Sequence, residues 1–209
     1  MTKRNSCDPV IEIIDRLLGP KGCPWDWEQT LLSLRESVLE EACELIDAIN
    51  SGDKEHICEE IGDLFFNALF FAKVAEKEGV GTFDGIIQEL ADKLIRRHPH
   101  VFGEGDKLSY DGVISQWERI KKTEKGKVER VNVFDGIPAA LPSLARGQKM
   151  AKKIAKSALE APDQESLEKL SPLGAALWKI VQEAHNQNVN AEQELRLVLQ
   201  QIEKSTQPK

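Results

Sequence analysis

This chain has no excess of basic residues: 28 Lys+Arg stand against 35 Asp+Glu, a formal charge of −7. A general nucleic-acid surface, which needs a basic field, is therefore not expected. It has no closely spaced cysteine pair. Cys7, Cys23, Cys43 and Cys58 show neither zinc-knuckle nor redox-motif spacing, and Cys43 and Cys58 fall in helical patterns as small core residues. No apolar run follows the basic start at Lys3-Arg4, and none approaches the ~20 residues of a membrane span. The expectation is a reduced, cytoplasmic compartment with no membrane partner. Alternating strand patterns are missing too. Ser33 and Ser37 have no visible His-Asp partnership, which argues against a serine nucleophile.

What remains is helical spacing almost throughout. Val10, Ile13, Ile14, Leu17 and Leu18 predict a short first helix, stopped at Gly19-Pro20. A second helix is expected over 28–49, with Leu34, Val38, Ala42, Leu45 and Ile49 inward. After a turn at Asn50-Ser51-Gly52-Asp53, a third is expected over 54–78, carrying Ile57, Ile61, Leu64, Phe65, Ala68, Leu69 and Ala72. Thr82 or Asp84 can cap a fourth, which ends before Pro99. Further helices are expected over 110–125, after Pro142, and over 173–187 and 191–204, with 126–136 a polar, mobile linker. The fold class read from this pattern is all-α.

A weak repeat runs through the chain. Ile61-Gly62-Asp63-Leu64 aligns with Leu173-Gly174-Ala175-Ala176, Leu69 with Val181, and Ala72 with Ala184. Ile87, Leu90 and Leu94 align with Leu195, Val198 and Ile202. Apolar positions persist, whereas Glu60, Asp63, Lys93 and Arg97 become Pro172, Ala175, Gln201 and Ser205. Chance similarity between amphipathic helices is the rival explanation.

Two acidic clusters stand out: Glu40-Glu41-Ala42-Cys43-Glu44, and Glu60-Ile61-Gly62-Asp63. Two carboxylates at ~5 Å repel by roughly 3 kcal/mol at an effective dielectric of ~20. At ~100° per residue, Glu40, Glu44 and Asp47 fall within about 60°, and Glu41 lies nearer the apolar stripe. His56, Glu59, Glu60 and Asp63 fit within ~100° on the next helix. Antiparallel helices joined by a short turn bring the clusters to one height. Hard oxygen donors suit Mg²⁺, with Mn²⁺ as a substitute. The bland alternative is a solvated acidic face; facing geometry favours the metal.

On the fourth helix Lys93 and Arg97 share a face with Arg96 adjacent, a point charge and forks suited to phosphate oxygens. Charges at a helix C-terminus also compensate its dipole, and both roles are compatible. Trp25 reads either as a stacking surface for a base or as a plug over helix ends. His98-Pro99-His100 has transition-metal ligands but no evident third.

Together these motifs resemble the MazG family of nucleoside triphosphate pyrophosphohydrolases. The resemblance covers roughly 8–158 and rests on Gly22-Cys23-Pro24-Trp25-Asp26 with Glu28-Gln29-Thr30, and on Leu39-Glu40-Glu41-Ala42 with Glu44 and Asp47-Ala48-Ile49. It continues through Glu59-Glu60-Ile61-Gly62-Asp63-Leu64 and the run from Asp92-Lys93 to Val101-Phe102, with Gln116-Trp117-Glu118 and Asp135-Gly136-Ile137-Pro138 beyond.

It implies an all-α MazG-like bundle, usually dimeric, that hydrolyses NTPs to NMP and pyrophosphate with Mg²⁺. Glu41, Glu44, Glu60 and Asp63 would ligate the metal and Glu40 would support them or orient water. Lys93 and Arg97 would hold phosphates, with Arg96 and Trp25 also on the substrate side. Trp27 stands where the family tends to a basic residue, and Cys43 where an aromatic is usual. Longer members carry two complete catalytic domains, so the expected organisation is a catalytic domain over 8–103, a helix and linker over 104–145, and a degenerate second region over 146–205. Two alternatives stay open: a nucleotide-binding regulator or dimerisation module with a vestigial site, and a narrow dUTP or dCTP pyrophosphatase.

Overall fold

The computed structural model describes residues 7–103, 108–124, 132–157 and 162–206, and every regular element among them is an α-helix. The chain divides into two compact units, Met1–Val113 and Ile114–Lys209.

In the first unit α1 (Asp8–Leu17) begins with Pro9 in its first turn, where a missing N–H costs nothing. Next comes α2 (Pro24–Glu28), then α3 (Arg35–Ser51). The single helix expected over 28–49 is thus broken. The break has local and tertiary causes. Thr30 N donates to Ser33 Oγ and Ser33 N to Thr30 Oγ1, both at 3.0 Å, so side chains replace helical partners. Lys77 Nζ, from far along the chain, donates to the carbonyls of Trp27 and Gln29 at 2.6 and 2.7 Å, and Leu31 N donates to Glu78 Oε1 at 2.9 Å.

Gly52, with φ 75°, ends α3 in the left-handed conformation. Asp53 then caps α4 (Lys54–Lys77), its Oδ1 accepting from the N–H groups of Glu55 and His56 at 3.0 and 3.3 Å. Thr82, not Asp84, caps α5 (Phe83–Arg97) through a 3.1 Å bond from Gly85 N. The short α6 (Pro99–Phe102) follows.

α4 is the axis of this unit, with α3, α1 and α5 packed on it. The core of Ile14, Leu34, Leu69, Phe70 and Val74 gathers around its C-terminal half, with Phe66 and Phe83 packed against it. Lys73 reaches Asp15 on α1 at 2.7 Å and lies 4.8 Å from the centre of the Phe83 ring. Several positions expected to be core are instead exposed: Val38, Ile49, Ile61 and Phe65 are 38–56% accessible, and Cys58 is exposed. α4 carries apolar residues over more of its circumference than the neighbouring helices of one chain cover.

α7 (Tyr110–Thr123) contains the division between units. The second unit then has α8 (Ser143–Ala155), α9 (Gln164–Leu170), α10 (Pro172–Asn186) and α11 (Ala191–Thr206). Helix α9 was not expected; Asp163 caps it by accepting from Ser166 N at 2.9 Å. α10 packs on α8, α9 and α11. Gly147 permits the close approach of α8, since a Cβ there would lie 3.1 Å from Val181 Cγ1. Of the linker expected over 126–136, residues 126–131 lie outside the described residues, while 132–136 form a turn closed by Asn132 Oδ1 accepting from Phe134 N.

Candidate metal and phosphate site

The α3–α4 hairpin decides which acids meet. Glu41, Glu60 and Asp63 each offer a carboxylate oxygen within 4.8 Å of the others, the one such metal-capable group among the described residues. Glu60 is buried, Glu41 half-buried and Asp63 exposed, so the cluster opens from the helix interface to solvent. His56, one turn before Glu60, brings Nε2 to 2.9 Å from Glu60 Oε1. The other oxygen, Glu60 Oε2, is buried and has no hydrogen-bond partner. Leaving such an acceptor unmet costs about 1–3 kcal/mol.

The charge crowding is felt at Glu41. Its carboxyl is held above the ordinary value of 4.5 by partial burial first, then by the charges of Glu44, Asp63, Glu60 and Glu40. Glu44 and Glu40 are exposed and lie outside the three-residue group, acting on it through their charge.

These residues fit a divalent cation of the hard class. The donors are all oxygens, one is an orphaned buried acceptor, and the crowding is of the kind a cation relieves. Oxygens sharing Mg²⁺ lie at most about 4.2 Å apart, so a sub-ångström side-chain adjustment would close the group.

The basic residues lie on α5, which packs on α4. Lys93 and Arg97 are half-buried and Arg96 exposed. Lys93 has no ion-pair partner among the described residues. Trp25 is 67% exposed, so it is not the plug over helix ends that one reading allowed. His98 and His100 have ring centres 5.7 Å apart, and His98 Nδ1 is committed to Leu94 O at 2.7 Å. No third metal-capable side chain joins them among the described residues.

His56 was placed on the face of Glu60 and Asp63 by helical spacing, and the structure sets it against Glu60. Not singled out from sequence is Asn67, buried one turn beyond Asp63 and 3.2 Å from Ser37 Oγ on α3. Its position on the stripe of Glu60 and Asp63 was legible, but a polar residue there reads as solvent-facing without the packing.

The MazG nucleotide pyrophosphohydrolase domain matches residues 29–102, a span that holds all the acidic and basic residues above. The chain is 35% identical to a nucleoside triphosphate pyrophosphohydrolase/pyrophosphatase MazG of Thermotoga maritima, covering 90% of this chain and 79% of that one. It is 40% identical to a nucleoside triphosphate pyrophosphohydrolase of Escherichia coli K12 over 72% of this chain and 58% of that protein. Bacillus subtilis YabN is 41% identical, and there the match spans 28% of the relative. The chain thus spans 58% and 28% of the length of the last two, less than two thirds of either. Among solved structures, the crystal structure of a mazG-related protein from Thermotoga maritima superposes with a TM-score of 0.50 at 31% identity, over 55% of this chain and 98% of that one.

Proposed function

This chain belongs to the MazG nucleotide pyrophosphohydrolase family, and from that premise we propose that it hydrolyses nucleoside triphosphates to nucleoside monophosphate and pyrophosphate in a Mg²⁺-dependent reaction. The observation that carries the proposal is the buried, unpartnered Glu60 Oε2 beside the carboxylates of Glu41 and Asp63.

Glu41, Glu60 and Asp63 would hold the cation, and Glu44, whose charge acts on Glu41, would join them as the ion draws the acids together. When bound, Mg²⁺ supplies neutralisation of phosphate charge and a lowered pKa for water. Glu40, exposed on the same helix, is suited to take the proton from water as its oxygen bonds to the α-phosphorus. The bond from that phosphorus to the bridging oxygen breaks, and pyrophosphate leaves with the electron pair. Lys93, Arg96 and Arg97 hold the phosphates and offset charge on the leaving group. Exposed Trp25 offers a face for the base.

Residues 8–103 are the catalytic domain in this reading, 104–145 a helix and linker, and 146–205 a degenerate repeat. The repeat is supported by the burial of both Leu69 and Val181, whereas the exposed Asp63 of α4 aligns with a buried Ala175 in α10. The active form is a homodimer. Ile49, Ile61, Phe65, Leu90 and Leu94 on α3, α4 and α5 are 44–56% exposed in one chain, a cost that a second copy would remove.

The test is a panel of NTPs and dNTPs with MgCl₂, with products resolved by chromatography. NMP plus pyrophosphate is expected. NDP plus phosphate would sink the proposal, and so would cation binding without turnover. Turnover of dUTP or dCTP alone would narrow it. Glu44→Gln should lose turnover while keeping its helix content.

A further inference from the structure

One recess of the second unit is lined by hydrogen-bond donors and lysines with no carboxylate among them. It measures about 300 Å³ and lies between α8 and the turn joining α10 to α11, with Lys149, Lys152, His185, Asn188 and Asn190 on its walls. That volume is roughly ten waters' worth. The wall belongs to a helix that carries Arg146, Lys149, Lys152 and Lys153 and no acid, in a chain of net charge −7.

Three other lysines of this unit have partners, whereas Lys179 and Lys204, which lie outside the recess, have none among the described residues. Lys153 donates to the carbonyls of Val133 and Asp135, Lys156 pairs with Glu118, and Lys169 pairs with Glu165. Lys149 and Lys152, one turn apart on α8, have no side-chain partner among the described residues. Lys152 sits in the last turn of α8, and dipole compensation there accounts for one charge. It does not account for the second lysine or for the amides opposite.

Those amides are held in place. Gln148 Nε2 donates to Val189 O at 2.5 Å and its Oε1 accepts from Ala191 N at 3.0 Å, which clasps the α10–α11 turn to α8. Asn190 Oδ1 accepts from the N–H groups of Glu192 and Gln193 at 3.1 and 3.2 Å, capping α11. Its carbonyl oxygen is therefore consumed, and the NH₂ is left as a donor. Asn188, at φ 57°, takes the left-handed conformation that Asn tolerates.

We infer that this recess binds a diphosphate or longer phosphate chain, free or as the tail of a nucleotide, separately from the carboxylate site. Compact ammonium groups and amide donors around a space this size suit several phosphate oxygens at once.

The test is calorimetric titration of the full chain in EDTA with inorganic pyrophosphate, inorganic phosphate and ATP. Lys149→Ala/Lys152→Ala should weaken pyrophosphate binding by about tenfold or more. Lys179→Ala/Lys204→Ala, which removes equal charge outside the recess, should leave it within about twofold, and Lys149→Arg/Lys152→Arg should retain it. Tighter binding of ATP than of pyrophosphate would assign the site to nucleotides, and the reverse to the free anion. Backbone amide resonances of Asn188 and Asn190 should shift on titration. An unchanged affinity in the alanine pair, an equal loss in the control pair, or shifts confined to α5 would overturn the inference. NTP turnover should persist in the alanine pair, so absence of hydrolysis and absence of this site are read separately.

Discussion

His56 Nε2 lies 2.9 Å from Glu60 Oε1 while Glu60 Oε2, on the same carboxylate, is buried without a partner. One oxygen is oriented from within α4 and the other makes no hydrogen bond. Glu60→Gln removes the charge and keeps the shape. In metal-free buffer the variant should be at least as stable as the parent. At about 100-fold excess over its dissociation constant MgCl₂ should stabilise the parent by ~2.7 kcal/mol and the variant hardly at all. Thermal unfolding with and without MgCl₂ checks this, and equal stabilisation of both would refute the ligand role of Glu60.

Glu41 gives the site a pH signature. Its folded-state pKa is raised above 4.5, so the folded chain holds this proton more tightly than the unfolded one. The associated destabilisation is absent below the ordinary value. It develops as pH rises from 4.5 through the raised value and is complete above it. Urea unfolding of the parent and Glu41→Gln in EDTA across this window should show the parent losing stability relative to the variant as pH increases. MgCl₂ should diminish that loss, because a cation offsets the same repulsion.

Gly52 sets the hairpin that brings the two acidic helices together. It adopts φ 75°, and nothing lies within 4 Å of a Cβ placed there. Gly52→Ala should therefore cost about 1 kcal/mol from backbone conformation alone. Gly52→Asn should cost less, because Asn visits this region more readily. Equilibrium denaturation distinguishes the two, and equal losses would point to packing instead of φ.

Lys73 joins α1, α4 and α5. Burial pulls its ammonium down, but the hydrogen bond and charge of Asp15, with Glu76, outweigh that and leave its pKa above 10.5. Stability from this lysine is present below 10.5 and lost as pH rises through the raised value. Lys73→Met should cost about 1–2 kcal/mol by urea denaturation, below the range for fully buried pairs because Asp15 is 54% exposed. Divalent-cation affinity should not change, since the pair lies away from the carboxylates.

Much of the first unit was legible from period and punctuation. Gly19-Pro20, Gly52-Asp53 and Thr82 mark element ends because capping and left-handed turns are properties of a few adjacent residues. The break before α3 was not legible, because Lys77 and Glu78 impose it from about fifty positions away in the chain. Helix α9 escaped because its seven residues are too short to show a period. The phase of Glu41, Glu60 and Asp63 was readable from helical spacing. That Glu44 stands outside the tight group was not, since one turn of helix separates a residue on the interface from one beside it.

Local chemistry settles which side chains share a helix face, and the pattern of residues was enough to read an all-α chain with acids beside its apolar stripe. Desolvation is different in kind. Whether Glu60 loses water, whether His56 meets one of its oxygens and leaves the other bare, and whether Ile61 and Phe65 stay uncovered all depend on which helices lie alongside α4. Burial is a sum over neighbours distant in sequence, so those outcomes belong to the folded arrangement.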